Sequence, residues 1–186
     1  GNINMKLAEA GFDGDSRLSG TVSSGYQSAA NALYESLSLD YSTGNWGIKA
    51  TGTYRKSNEY RAGGGQKVAY SQFEKFNYSL SGKYRLNDQW HLKASLLADD
   101  GRNIGYPALP MDLGYASARI GSVGLVMDNS LKSWNYFEAR IYANKVKHFM
   151  DDSHRPNVPM HMDMPGSSFT AGMFAEGRRR IAANRQ

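Results

Sequence analysis

Long stretches of this chain alternate, residue by residue, between apolar and polar side chains. Trp46, Ile48, Ala50, Gly52 and Tyr54 are interleaved with Gly47, Lys49, Thr51, Thr53 and Arg55. Phe76, Tyr78, Leu80, Gly82, Tyr84 and Leu86 are interleaved with Asn77, Ser79, Ser81, Lys83 and Arg85. Trp90, Leu92, Ala94, Leu96 and Ala98 follow, with His91, Lys93 and Ser95 between them. A β-strand turns successive side chains to opposite faces, so each run predicts a ribbon with one apolar and one polar side. The pattern predicts strands over 17–28, 33–42, 46–60, 71–86, 90–99, 115–127, 134–150 and 168–177. Alternation is poor in the first and last of these. Gly121-Ser122 shifts it in the sixth, where a bulge is expected.

A β-sandwich gives the same alternation, and two further features separate the readings. The runs reach or exceed the ~9–11 residues that cross a bilayer at a tilt, whereas ordinary strands average about five or six. There is also a repeat: the three tryptophans are Trp46, Trp90 and Trp134, with 90 − 46 = 44 and 134 − 90 = 44. Each opens a strand after a short polar turn, at Thr43-Gly44-Asn45, Asn87-Asp88-Gln89 and Asp128 to Ser133. A period of this length also suits a propeller blade, but the unit is one hairpin plus a long loop, with no blade signature. Tryptophan at one end of every second strand fits an aromatic belt at a membrane interface. The other connections, near 60–71, 99–114 and 152–167, are longer and polar or Gly-rich. Barrels of the bacterial outer membrane have short periplasmic turns and long outer loops, which puts the tryptophans on the periplasmic side.

Composition refines this picture. With 12 Tyr, 20 Gly and 5 Pro in 186 residues, the chain suits an all-β protein with many turns. The net charge of +5 is dispersed apart from Arg178-Arg179-Arg180, so nucleic acid is not the expected partner. No cysteine is present, which excludes disulfides and thiolate metal sites within the chain. No apolar run is long enough for a membrane helix. The mean hydropathy of −0.58 is compatible with a barrel, because only alternate residues face lipid. The expected fold is all-β: an antiparallel transmembrane β-barrel segment of about 8 strands. Eight strands can close into a small barrel. The non-alternating start and the polar tail ending at Gln186 instead suggest a part of something longer.

Candidate chemistry gathers near the C-terminal end. His148 and Met150 are two apart on a predicted strand, so one ion can touch both. Imidazole suits copper, and thioether sulfur suits Cu(I) in particular. Met160, Met162 and Met164 alternate with His161 and Asp163 in the following loop; three sulfurs on one side can capture a soft ion, or fill a flexible apolar loop tip. Asp99-Asp100 and Asp151-Asp152 close two outward-running strands, and read as hydrated loop-entrance residues ahead of a Ca²⁺ or acid–base site. Ala62 to Lys67 is Gly-rich but lacks the Gly-Lys-Ser/Thr ending of a phosphate loop. No nucleophile elbow or zinc-protease motif occurs, so the chain is not expected to be an enzyme.

Several segments resemble the TonB-dependent receptors of the bacterial outer membrane. Gly1-Asn2-Ile3-Asn4 is similar to the last strand of their plug domain, and the strands after residue 17 resemble the first third of their barrel. Gly105 to Asp112 and Lys147 to Asp152 look like the branch that includes the copper receptors, which carries a His-x-Met pair matched here by His148 and Met150. The resemblance implies an end of plug and linker over 1–16 and the N-terminal part of a barrel over 17–186. It also implies a 22-stranded, plugged parent. Such receptors bind a scarce solute outside and move it inward with energy passed on by TonB. Copper is then the leading ligand and an iron–siderophore chelate the next, carried as cargo with no resident cofactor. The implied partners are outer-membrane lipid, the TonB complex through the missing plug, and the metal or its chelate. Two other readings stand beside this one. A small structural or adhesive barrel predicts that the first and last strands pair. A soluble β-sandwich binding module predicts loops of similar length at both ends.

Overall fold

The computed structural model describes residues 8–9, 11–131, 134–156 and 158–179. One antiparallel sheet contains β1 (Arg17–Gln27), β2 (Ala32–Ser42), β3 (Trp46–Ser57), β4 (Phe73–Arg85), β5 (Trp90–Ile104), β6 (Asp112–Leu131), β7 (Trp134–Asp151) and β8 (Asp163–Arg178). The strands lie side by side in chain order, β1 to β8. Every neighbour is therefore reached by a hairpin connection, the arrangement of a meander. Among the described residues, β1 and β8 are not hydrogen-bonded neighbours. The described residues form a single sheet, with no second one to complete a sandwich. The similarity of Gly1 to Asn4 to a plug strand, and the tail beyond Arg179, lie outside the described residues.

Three strands exceed their expected spans. β5 continues to Ile104 because Asp99 and Arg102 remain in the ladder opposite Asn77 and Glu74. β6 runs from Asp112 to Leu131, and β8 begins at Asp163. Pro165 is tolerated in β8 because this strand pairs on one side only. No bulge occurs at Gly121-Ser122, where pairing with both neighbours is continuous; the register shifts lie at Leu113/Tyr115 and Asp128/Leu131. Gly121 interrupts the apolar pattern only by lacking a side chain. β1 forms despite its weak alternation and pairs with β2 from Arg17 to Gln27. Their connection, Ser28 to Asn31, is short although it lies at the end of the long loops; Asn31 closes it in the left-handed region at φ 46.

The pairing carries the alternation unbroken from strand to strand. Ile48, Gly82, Ala94, Val123, Ile141 and Met173 form one row across β3 to β8, and Lys49, Ser81, Ser95, Ser122 and Tyr142 form the next. One face is thus apolar and the other largely polar. Among the described residues, none covers the apolar face: Leu96 is 48% exposed and Ile141 62%. A bare apolar sheet of this extent is foreign to a protein surrounded by water.

Register also sets the heights of the tryptophans. Trp46 faces Tyr84, which faces Leu92, and Trp90 lies two residues beyond Leu92 toward the turns. Trp90 faces Met127, which faces Phe137, and Trp134 lies three residues beyond Phe137 in the same direction. With ~3.3 Å per residue and ~4.8 Å per strand, these offsets describe a line inclined by roughly 35–45°. That is the strand tilt of a barrel, so the three backbone positions share one level. The side chain of Trp134 lies outside the described residues; the aromatic place beside Trp90 is filled by Phe137, at 6.1 Å between ring centroids. Trp46 and Tyr84 meet on the same border with centroids 4.4 Å apart and planes tilted by 41°.

The opposite border is drawn by charge. On the apolar face, Lys56, Glu74 and Asp100 each follow ten residues of uncharged positions counted from Trp46, Tyr84 and Trp90. Ten residues span about 33 Å along a strand, or about 25 Å in height at the inferred tilt. This equals the apolar belt of an outer-membrane barrel. Leu80 lies near its middle. We expect Leu80→Arg to weaken folding into a bilayer by about 2–4 kcal/mol, while Ser79→Arg, on the polar face, costs far less. Folding equilibria of the full-length protein in lipid vesicles check both.

Candidate functional site

The polar face is built from cross-strand pairs that satisfy one another. Ser36 meets Thr53 at 3.1 Å, Ser95 meets Ser122 at 2.8 Å, and Lys49 bridges to Asp40 at 3.1 Å. Near the short turns, Lys83 and Lys93 lie directly opposite each other on β4 and β5. Like charges in that relation repel, and Glu9 answers them, reaching Lys83 at 2.7 Å and Lys93 at 3.3 Å. Ser81 donates to the Ala8 carbonyl, the Asp13 amide donates to Thr43, and Phe12 lies under the Arg85 guanidinium. The described part of the N-terminal segment therefore rests on the polar side of the sheet. Burial works to raise the Glu9 pKa, but the Lys83 hydrogen bond and the charge of Lys93 outweigh it and hold the carboxyl below its ordinary value.

The sequence-derived candidates lie at the opposite end of the same face. In β7 and β8, Met150 is the direct partner of Met164, and His148 that of Gly166. The first pair and the second are two residues apart along each strand, so His148, Met150 and Met164 share the polar face. Gly166 matters here because a Cβ at this position would overlap the His148 ring. The missing side chain lets the imidazole lie across β8. Leu113 of β6, itself buried, is the register partner of Met150 on the other side. Among the described residues, no three His, Cys, Asp or Glu side chains come together in a way that would hold a metal ion. The soft donors that the register places on one face of this corner are one imidazole and two thioethers.

Met162, His161 and Met160 do not lie on a strand. They occupy the loop between β7 and β8, and Asp152 organises it. Its carboxylate, 2% exposed, meets His161 Nδ1 at 3.0 Å and accepts from the Met162 amide at 3.1 Å. Asp152 is thus a buried anchor and not a hydrated loop-entrance residue; Asp151, by contrast, accepts from its neighbour Ser153. Met160 is 74% exposed at the tip. The other acidic pair also separates. Asp99 takes Asn77 and Lys75 on the polar face, whereas Asp100 takes Arg119 on the apolar one. Adjacent strand residues point in opposite directions, which rules out joint action.

Sequence reasoning overlooked Arg155. Its guanidinium pairs with buried Asp112, donates to the Tyr106 and Met111 carbonyls, and lies 3.6 Å over the Tyr70 ring. Tyr70 donates to the His154 carbonyl. Three long connections are thereby pinned to one cation, directly beside the methionine loop. The only sequence signal was an arginine before a proline in a polar stretch, which is common in loops. The Gly-rich stretch makes a tight turn, with Gly64 and Gly65 at φ 77 and 79.

No family model matches this chain, and no curated protein sequence matches it. Among solved structures, the copper transporter OprC superposes on it with a TM-score of 0.84 at 20% identity. The likeness is one of fold: eight antiparallel strands in one sheet, matching part of a barrel protein. The match covers 94% of this chain and 28% of OprC, so the chain spans little more than a quarter of that structure.

Two outcomes are expected. Gly166→Ala displaces the His148 ring while keeping the sheet, read as a changed His148 imidazole resonance with unchanged strand content. For Glu9, whose folded pKa is depressed, the stabilising contact is complete above the ordinary carboxylate range and is lost as pH falls through the lowered value. A reporter at Phe12 should therefore stay docked at neutral pH and release only in acid, below the ordinary carboxylate range. Glu9→Gln removes most of that pH dependence.

Proposed function

We propose that the chain is part of the wall of an outer-membrane uptake barrel whose cargo is a soft metal ion, copper before an iron chelate. The observation that carries this reading is the facing pair Met150 and Met164 beside His148 on the polar side. A nitrogen and two thioether sulfurs form a donor set suited to Cu(I), whereas hard cations prefer oxygen. His148 supplies the imidazole nitrogen, and Met150 and Met164 the sulfurs. Met160, His161 and Met162 make first contact from the loop and hand the ion down to the strand pair.

The apolar band supports the membrane setting, and the likeness to a copper transporter supports the cargo class. The polar face then lines an aqueous interior, and the N-terminal segment enters along it. Inward transfer is driven by the TonB complex acting on a plug that precedes this segment. None of these roles involves making or breaking a covalent bond.

Cu(I) affinity of the full-length parent, measured by competition with a chromophoric chelator, tests the reading. His148→Ala, Met150→Ala and Met164→Ala should each weaken binding by about tenfold or more, since even outer partners of metal ligands are worth that much. Ferric-chelate binding should be unchanged. Equal Cu(I) affinity in all three variants would remove the site.

A further inference from the structure

The apolar face carries a feature that the uptake reading does not use. Arg119 of β6 and Lys145 of β7 are direct cross-strand partners, and Lys147 lies two residues further along the same face. All three are exposed. Like charges facing each other across a ladder destabilise it unless something neutralises them. Asp100 takes Arg119, with both carboxylate oxygens on one guanidinium nitrogen at 2.7 and 2.8 Å. Among the described residues, Lys145 and Lys147 stand in no ion pair. Glu74 of β4 faces Lys56 of β3 on one side and Arg102 of β5 on the other.

The surroundings narrow the ligand. Below the patch, a hollow of about 910 Å³ extends across the sheet from β3 to β8, with Gly121, Ala143, Leu92, Leu96, Val123 and Ile141 in its lining. Directly above it, Tyr115 and Phe149 stack with centroids 6.0 Å apart and planes 15° apart. From the middle of the band outward, the face thus reads hydrocarbon, cation, aromatic ring. We propose that this surface between β5 and β8 seats one phosphorylated glycolipid of the outer leaflet. Its acyl chains fill the hollow, its phosphate bridges Lys145, Lys147 and Arg119, and its sugar packs on Tyr115 and Phe149. Cations at the headgroup level attract anionic lipid. A phosphate between Arg119 and Lys145 removes the repulsion built into their register.

The proposal rests on the membrane reading but not on copper. The test uses the full-length parent in nanodiscs of zwitterionic phospholipid, with diphosphoryl lipid A added and binding read by native mass spectrometry. Saturable binding is expected. Lys145→Gln combined with Lys147→Gln should weaken it about thirtyfold, from the usual contribution of each basic residue near an anionic surface. Replacing both lysines by arginine should retain it. Dephosphorylated lipid A should bind as weakly as the glutamine variant, and Cu(I) affinity should be unchanged throughout. Undiminished binding in the glutamine variant, or equal binding of dephosphorylated lipid, overturns the proposal. Displacement by millimolar inorganic phosphate would mark a simple anion site and overturn it as well. A parent that stays dispersed without detergent and enters no bilayer defeats the membrane reading itself.

Discussion

The structure depends on the two-residue period of an extended backbone. Each strand must hydrogen-bond to its neighbours, which fixes where every side chain emerges. A slip of one residue would exchange the two faces. Here the register runs from β1 to β8 with irregularities only near the ends of β6. Ile48 and Met173, five strand pairings apart, therefore emerge on the same side. The sheet can present hydrocarbon on one face and hydroxyls and charges on the other without a dry core between them.

That arrangement changes what burial means. Few large side chains are fully buried: Val126 and Asp152 lead the described residues. Stability comes from the ladder more than from interior packing. Polar contacts then do local jobs. Arg155 gathers loops, Asp152 sets the path of the methionine segment, and Glu9 separates two facing lysines. Each acts beyond the apolar band or on the wet face, where a charge is cheaply held.

Much of the sheet was legible because the alternation in β3, β4 and β5 is sharp and their polar positions are well separated from the apolar ones. The outer reaches of β5 and β8 were not. Asp99 to Arg102 and Asp163 to Ser167 are polar or contain proline and glycine, so they read as loop while their backbone stays paired. Hydrogen bonding does not need apolar side chains, so paired backbone can continue where the alternation has stopped. For the site, the spacing of His148 and Met150 was readable along one strand. Their meeting with Met164 was not, because pairing across β7 and β8 depends on loop length and on Gly166 leaving space for a ring. Arg155 was invisible for a similar reason: its partners lie 43 to 49 residues away in sequence.

The accessible sulfurs carry a chemical liability. Met160, Met162 and Met164 are 74%, 46% and 52% exposed, and a thioether in contact with solvent is readily converted to its sulfoxide. The added oxygen turns a soft donor into a polar, chiral group and stiffens the chemistry of the whole corner. Peroxide or hypohalous acid would blunt these residues long before it reached the shielded aliphatic positions. Repair requires a reductase able to work at that surface, so the working life of this corner is tied to the oxidant load around it.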